Sequence, residues 1–239
     1  MALDVALMAR ARRTGNAVFR IYTWANPTLS FGRNQTARDR YRLDRIAALG
    51  LDVVRRPTGG RAILHAREIT YSVTAPASDA VGLQHSYQAI NTLLLDGLAR
   101  LGVTVAVAQP MERAERPTDA PCFAAPSAGE MVTDAGKLVG SAQWREDGAL
   151  LQHGSILIED DQQTLATLMI DPLPSVPAPG TLRSALGRTP SVEQVAHAMF
   201  DAVRALADAD AAPLTADQAR ADDPLDLGFF SRDEWTWRR

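Results

Sequence analysis

Of the 25 Lys and Arg side chains in this sequence one is a lysine, Lys137, and the chain holds one cysteine, Cys122. Arginine stays protonated and presents a planar fork, whereas a lysine amine is compact and can lose its proton. Lys137 is therefore either a residue that escaped an arginine-favouring composition or a position that needs an amine. Cys122 is likewise either an inert buried side chain or a reactive thiol. One thiol excludes an internal disulfide and the several-thiolate clusters of structural zinc sites. A free thiol is about 3% thiolate at neutral pH, and a neighbouring ammonium raises that fraction. A thiolate can take an acyl group as a thioester, and a positive amine can stabilise charge on the carbonyl oxygen. The two singletons suit acyl transfer if the fold brings them together.

Other candidate chemistry is weaker. Gly59 and Gly60 in "RRPTGGRA" could offer backbone N–H groups to an anion, or could simply turn the chain between strands. No Walker or dinucleotide fingerprint accompanies them. His65, His85, His153 and His197 lack zinc-ligand spacing, and a G-x-S-x-G nucleophile elbow is absent.

The elements that must position the pair read as α+β. A helix is predicted over residues 2–12, with Leu3, Ala6, Leu7 and Arg10 on one face. "AVFRIY" and "TLSFG" read as strands with a turn at Asn26–Pro27, and a second helix is expected over 38–48, closed by Gly50. "LDVVRRPTGGRAILHAREITYSVTA" gives strand, glycine turn, strand and strand. A third helix follows, capped by Ser86 and ended by Gly102. Residues 108–128 carry four prolines and no period, reading as a functional or disordered loop that includes Cys122. A meander comes next: "GEMVT", "KLVGSAQW" and, after the Asp147–Gly148 hairpin signal, "ALLQHGSILI". A period of two puts Lys137, Val139, Ser141 and Gln143 on one face of its middle strand. From residue 160 the chain reads as helical. The expected architecture is a mixed sheet flanked by helices, one domain over 1–239 with a mainly helical part from about 160 onward.

Apolar content of 46% with 22% charged residues suits a chain that buries a sizeable core. Residues 1–61 carry 12 arginines against four aspartates, while the remainder is acidic. "RNQTARDRYRLDR" reads as a solvated helix face, and no nucleic-acid motif appears, so no nucleic-acid partner is expected. No apolar run approaches the roughly 20 residues that span a bilayer. The basic residues of "MALDVALMARARR" follow its apolar part, the reverse of a secretory signal. A cytoplasmic protein with no membrane partner is expected.

The segments "RIYTWANPTLSFGRNQ", "VVRRPTGGRAILHAREITYSV", "PCFAAPSAGEMV", "GKLVGSAQWREDGALLQHGSILI" and "DEWTWRR" together resemble the biotin/lipoate protein ligase superfamily, over nearly the whole chain and in order. Within it the resemblance is to octanoyltransferases, and "CFxxPS" is its most discriminating element. The resemblance implies that Cys122 carries octanoyl and that Lys137 lowers its pKa and orients the carbonyl. It implies that Arg56, Gly59, Gly60, Arg61 and His65 line the acyl site, with Ser141, Gln143, His153 and Gly154 on its "GSAQ" and "QHGS" strands. It further implies an octanoyl-acyl carrier protein donor and a lipoyl-domain acceptor, such as a glycine cleavage H protein or a dehydrogenase E2 subunit. Neither metal nor cofactor is implied. An ATP-dependent lipoate ligase working through an acyl-adenylate is the alternative, with Cys122 dispensable and "RRPTGGRA" facing the phosphate. A catalytically inactive binding protein on the same fold is a third reading, which the presence of Cys122 and Lys137 opposes. Two departures stand out. Family members usually carry a leading strand before the "ALD" helix, whereas this sequence begins within it. Ala128 and Gly129 stand where a bulky aromatic pair often follows "PS", which leaves the acyl-chain preference open.

Overall fold

The strands of this chain sort by how much of each is buried. A computed structural model describes residues 1–77, 82–109, 122–123, 126–171, 177–220 and 226–238. In chain order its elements are α1 (Ala2–Thr14), β1 (Val18–Tyr22), β2 (Thr28–Phe31), α2 (Leu43–Ala48), β3 (Asp52–Arg55), β4 (Ile63–His65) and β5 (Glu68–Pro76). Then come α3 (Leu83–Arg100), β6 (Ala106–Val107), β7 (Met131–Thr133), β8 (Gly136–Glu146) and β9 (Ala149–Leu157). Helices α4 (Gln163–Leu168), α5 (Leu182–Leu186), α6 (Val192–Leu206), α7 (Ala216–Arg220), α8 (Leu227–Phe230) and α9 (Asp233–Thr236) complete it.

Six strands form an antiparallel sheet in the order β1-β5-β9-β8-β7-β6. A smaller, mixed sheet has the order β3-β2-β4, with β2 parallel to β3 and antiparallel to β4. The Asn26–Pro27 turn thus separates two sheets. β2 is buried along its length and pairs on both sides, whereas half-buried β1 serves as an edge strand of the larger sheet.

Alternation along β5 decides what each face of the large sheet meets. Ile69, Tyr71 and Val73 enter the main core with Ile90, Leu94 and Leu98 of α3 and Val195 and Met199 of α6. Thr70, Ser72 and Thr74 take the opposite face, where α1 packs on β5 and β9. Fully buried Asp4 of α1 accepts a hydrogen bond from Arg20 of β1 at 2.6 Å. The buried positions of α1 are Ala2, Asp4, Ala6, Leu7, Met8 and Ala11, so its inner face differs from the expected Leu3–Arg10 stripe.

Two predicted helices have different bounds. The one expected over 38–48 is helical only from Leu43, because Asp39 has φ 63° and the backbone of 40–42 pairs elsewhere. Arg42 N–H donates to Leu168 O at 2.8 Å, and Ile170 N–H donates to Arg40 O at 3.0 Å. α3 begins at Leu83, not Ser86, and Ser86 N–H already donates to Gly82 O. The buried guanidinium of Arg55 fastens the terminal segment, donating to the carbonyls of Gly32, Gln35, Trp235 and Arg238. Burial first, then the positive neighbours Arg238 and Arg56, pushes that guanidinium down to about 10. Most of the predicted 108–128 loop, residues 110–121 and 124–125, lies outside the described residues.

Candidate active site

Cys122 and Lys137 meet. Lys137 Nζ donates to the Cys122 carbonyl at 2.6 Å and lies 3.5 Å from Cys122 Sγ. Its third partner is the Glu130 carboxylate, with Nζ 2.7 Å from Oε2. The ammonium also stands 4.8 Å from the centre of the Phe123 ring. Glu130 is fixed in turn by the Ser127 N–H, which donates to Oε2 at 2.6 Å. Cys122 is tied to the opposite wall, its N–H donating to Ala62 O at 2.9 Å. Two short backbone bonds, Ala108 N–H to Glu130 O and Gly129 N–H to Ala108 O, pin the return of the loop to β6.

A β-bulge aims the amine. Lys137 pairs with Val132 and Val139 pairs with Met131, so Leu138 is the extra residue. Leu138 and Val139 consequently both join the main core, and Lys137 no longer shares the face of Val139, Ser141 and Gln143. It lies beside Gly140 instead: a Cβ built there would stand 3.2 Å from Lys137 Cε and 3.4 Å from Cys122 Sγ.

The pair opens on a cavity of about 250 Å³ with a mainly apolar wall. Of the residues expected at the site, Arg56, Gly60, Arg61, His65, Cys122, Lys137, Ser141, His153 and Gly154 line it. Gly59 and Gln143 do not line it. The Gly59 carbonyl is turned to Arg56, which also holds the carbonyls of Arg61 and Ser30. This clamp sets the glycine turn, where Gly60 takes φ 94° and a Cβ would lie 2.7 Å from Arg56 Nη2. Arg56 is buried, and burial is the main influence lowering its pKa; a charge on Cys122 would act in the opposite sense.

Ser141 and Gln143 belong to a polar network on the α3 side of the sheet. Ser141 Oγ lies 2.6 Å from Tyr71 OH, Gln152 Nε2 donates to Tyr71 OH, and Gln143 Nε2 donates to Gln152 Oε1. Asn91 Nδ2 completes it by donating to Gly129 O at 2.6 Å, which holds the loop that carries Glu130. Gly154 lets the strands close up here, since a Cβ would strike the Gly140 carbonyl and lie 2.7 Å from Tyr71 Cε1.

The two histidines differ in kind. His153 Nε2 is 2.6 Å from Thr58 Oγ1, and burial pushes the imidazole down to about 3. His65 Nδ1 is 3.1 Å from Glu68 Oε1, and the ring stacks on Trp24 with centroids 4.3 Å apart. Thr70 Oγ1 donates to the same Glu68 oxygen and receives a hydrogen bond from Trp24 Nε1.

Sequence reasoning missed Glu130, Glu68, Trp24 and Tyr87, of which Trp24, Tyr87 and Glu130 line the cavity. Glu130 was within reach, because "GEMVT" puts a carboxylate just before a strand beside the lysine strand. Glu68 and Trp24 carried no signal that separates them from ordinary strand-end residues. Among the described residues no group of three or more His, Cys, Asp or Glu side chains is arranged to hold a metal ion. Among them, too, no helix is long and apolar enough to cross a membrane.

The family model for the lipoyl protein ligase A/B catalytic domain matches residues 1–204. Octanoyltransferase LipM of Kyrpidia tusciae is 36% identical, covering 100% of this chain and 94% of that protein. The Geobacillus kaustophilus protein of the same name is 32% identical, covering 100% and 93%. Among solved structures, a bi-partite lipoate protein ligase from Thermoplasma acidophilum superposes with a TM-score of 0.71 at 20% identity, covering 99% of this chain and 89% of that one. LipL1 of P. falciparum in complex with lipoate also has a TM-score of 0.71, at 15% identity, with 100% and 71% covered. These structures share the fold, α+β as read from the sequence. With its sequence matched from end to end and its fold matched as well, the chain belongs to the lipoyl protein ligase A/B catalytic domain family.

Proposed function

We propose that this protein is an octanoyltransferase of lipoate biosynthesis that carries its acyl group on Cys122. The donor is octanoyl-acyl carrier protein, and the acceptor is a lysine of a lipoyl-domain protein such as a glycine cleavage H protein or a dehydrogenase E2 subunit. The observation that carries this reading is the chain's one thiol on the wall of an apolar cavity, with its one lysine 3.5 Å from Sγ. The full-length likeness to proteins named octanoyltransferase supports it.

The chemistry runs in two steps. Sγ, as thiolate, attacks the donor carbonyl carbon; a new C–S bond forms, and the carrier leaves with the old bond's electrons and picks up a proton. Lys137 offers positive charge at Sγ as negative charge moves onto the carbonyl oxygen. Buried Arg56, whose guanidinium rests on the carbonyls of Gly59, Ser30 and Arg61, adds to the same field. The alkyl chain enters the cavity, where each buried methylene contributes about 0.8 kcal/mol. The acceptor amine then attacks the thioester carbon, the C–N bond forms, one proton is lost and Cys122 leaves as thiolate. Thioester exchanged for thioester, then for amide, runs downhill without nucleotide.

A ligase on this fold would instead activate a free acid with ATP and would not need the thiol. The discriminating assay follows octanoyl moving from carrier protein to a lipoyl domain without nucleotide. Transfer that is lost in Cys122→Ala is expected. Transfer that depends on ATP and free octanoate, and persists in Cys122→Ala, overturns the proposal.

A further inference from the structure

Aminolysis of a thioester needs a base for the attacking amine, and Lys137 Nζ stands 3.5 Å from Cys122 Sγ. An amine serves as that base only when its lone pair faces the reacting carbon. An ammonium has three N–H donors and no lone pair. Those of Lys137 are directed at Glu130, the Cys122 carbonyl and Sγ. The first two partners are acceptors that hold their hydrogens in place, so the proton free to leave is the third, on the side of the sulfur. Once it has gone, the lone pair points where that proton was, toward a thioester on Cys122. This holds for as long as the other two N–H groups stay anchored.

Glu130 is built to be such an anchor. Its carboxylate and the Lys137 ammonium are 2.7 Å apart, and both side chains are buried. The same oxygen accepts the Ser127 N–H at 2.6 Å, and the Glu130 N–H returns to Ser127 O at 3.1 Å. On either side the backbone is fixed again: Asn91 of α3 donates to Gly129 O, and Ala108 N–H donates to Glu130 O. The carboxylate therefore stands rigidly ahead of β7, and the bulge on β8 delivers the amine to it. Charge points the same way. When Cys122 is acylated its sulfur carries no charge, and Glu130 is then the anion in contact with Nζ.

We infer that Glu130 completes a Cys122–Lys137–Glu130 relay, as the positioning residue that aims the lysine lone pair and offsets the charge formed on it. This rests on the transferase reading above. In acylation the Cys122 thiolate forms its C–S bond, and the carrier sulfur leaves with the electrons of the old bond and takes the third proton of Lys137. In aminolysis the neutral acceptor amine forms the C–N bond and its extra proton passes to the Lys137 lone pair. The C–S electrons return to Cys122 as thiolate, which restores the starting pair. Glu130 stays a carboxylate throughout, in the place of the third group that orients a catalytic base.

The test separates the half-reactions in Glu130→Gln. Acyl-enzyme is first formed from octanoyl-acyl carrier protein, then challenged with a lipoyl domain or with hydroxylamine, a strong nucleophile already neutral at neutral pH. Rates are taken per acyl-enzyme, so a smaller folded fraction cancels. Transfer to the lipoyl-domain lysine should fall by about 100-fold, and release to hydroxylamine by at least about tenfold less than that. Formate added to Glu130→Ala, which leaves room for a small carboxylate, should restore part of the lysine arm alone. Equal losses on both arms, or lysine transfer within about threefold of the parent, overturn the assignment. If the parent itself forms no acyl-enzyme, it is the transferase reading that has failed, and the relay with it.

Discussion

Glu130→Gln puts a number on the ion pair that holds the lysine. Carboxylate and ammonium are 2.7 Å apart, with side chains only 6% and 1% exposed. Glutamine preserves the shape and leaves an oxygen to accept from Ser127 N–H and Lys137 Nζ, so the loss is one of charge. Removing one member of a buried pair typically costs about 3–5 kcal/mol, because the other charge is stranded. With a urea slope of about 2–3 kcal/mol/M, the unfolding midpoint should drop by about 1.5 M. Octanoyl transfer should fall as well, since Nζ loses the anchor that directs it at Sγ. The double variant Glu130→Gln, Lys137→Met removes both charges and should recover most of the stability while staying inactive. A single variant that loses less than about 1 kcal/mol, or a double variant whose loss equals the sum of its singles, would refute the coupling.

Three further outcomes are expected. Lys137→Arg should lower kcat/KM for octanoyl transfer by about 100-fold, because a planar guanidinium cannot reach three converging acceptors from the same stem; activity within about threefold would make the lysine an accident of composition. Gly140→Val should cost about 1–3 kcal/mol in urea unfolding and suppress acylation, as even its Cβ would sit 3.3 Å from the Phe123 ring and 3.4 Å from Sγ; normal acylation would show that the pocket yields. His153 titrates near 3 in the fold against 6.5 unfolded, so between those values the unfolded chain binds more protons. Its contribution is full above about pH 6.5 and is lost at up to about 1.4 kcal/mol per pH unit as pH falls toward 3. Urea unfolding of His153→Gln should show a flatter slope over that window, and an unchanged slope would place the titration elsewhere.

Much of this was legible where local physics decides. The meander was readable because Asp147 and Gly148 both take positive φ, as a tight hairpin demands. Cys122 and Lys137 stood out by rarity, and the family pattern named part of the cavity wall, including Arg56, Arg61, His65 and His153. Legibility failed where tertiary pairing overrides local preference. Backbone bonds from 40–42 to 168–170 cancel half of a predicted helix, and Leu138 shifts the strand register so that Lys137 leaves the face its spacing assigned. Nor does a sequence distinguish a buried carboxylate from a solvated one. Asp4, Glu68 and Glu130 are each buried, and they acquire meaning only from their partners Arg20, His65 and Lys137.

The central claim is a covalent acyl group on one named sulfur. Intact-mass measurement of the protein, mixed with octanoyl-acyl carrier protein in the absence of nucleotide, tests it most directly. The account predicts a gain of a single octanoyl group, mapped by peptide analysis to Cys122, discharged on addition of a lipoyl domain and absent from Cys122→Ala. A parent protein that transfers octanoyl at full rate while its mass never changes, or that carries the group on any other residue, contradicts it.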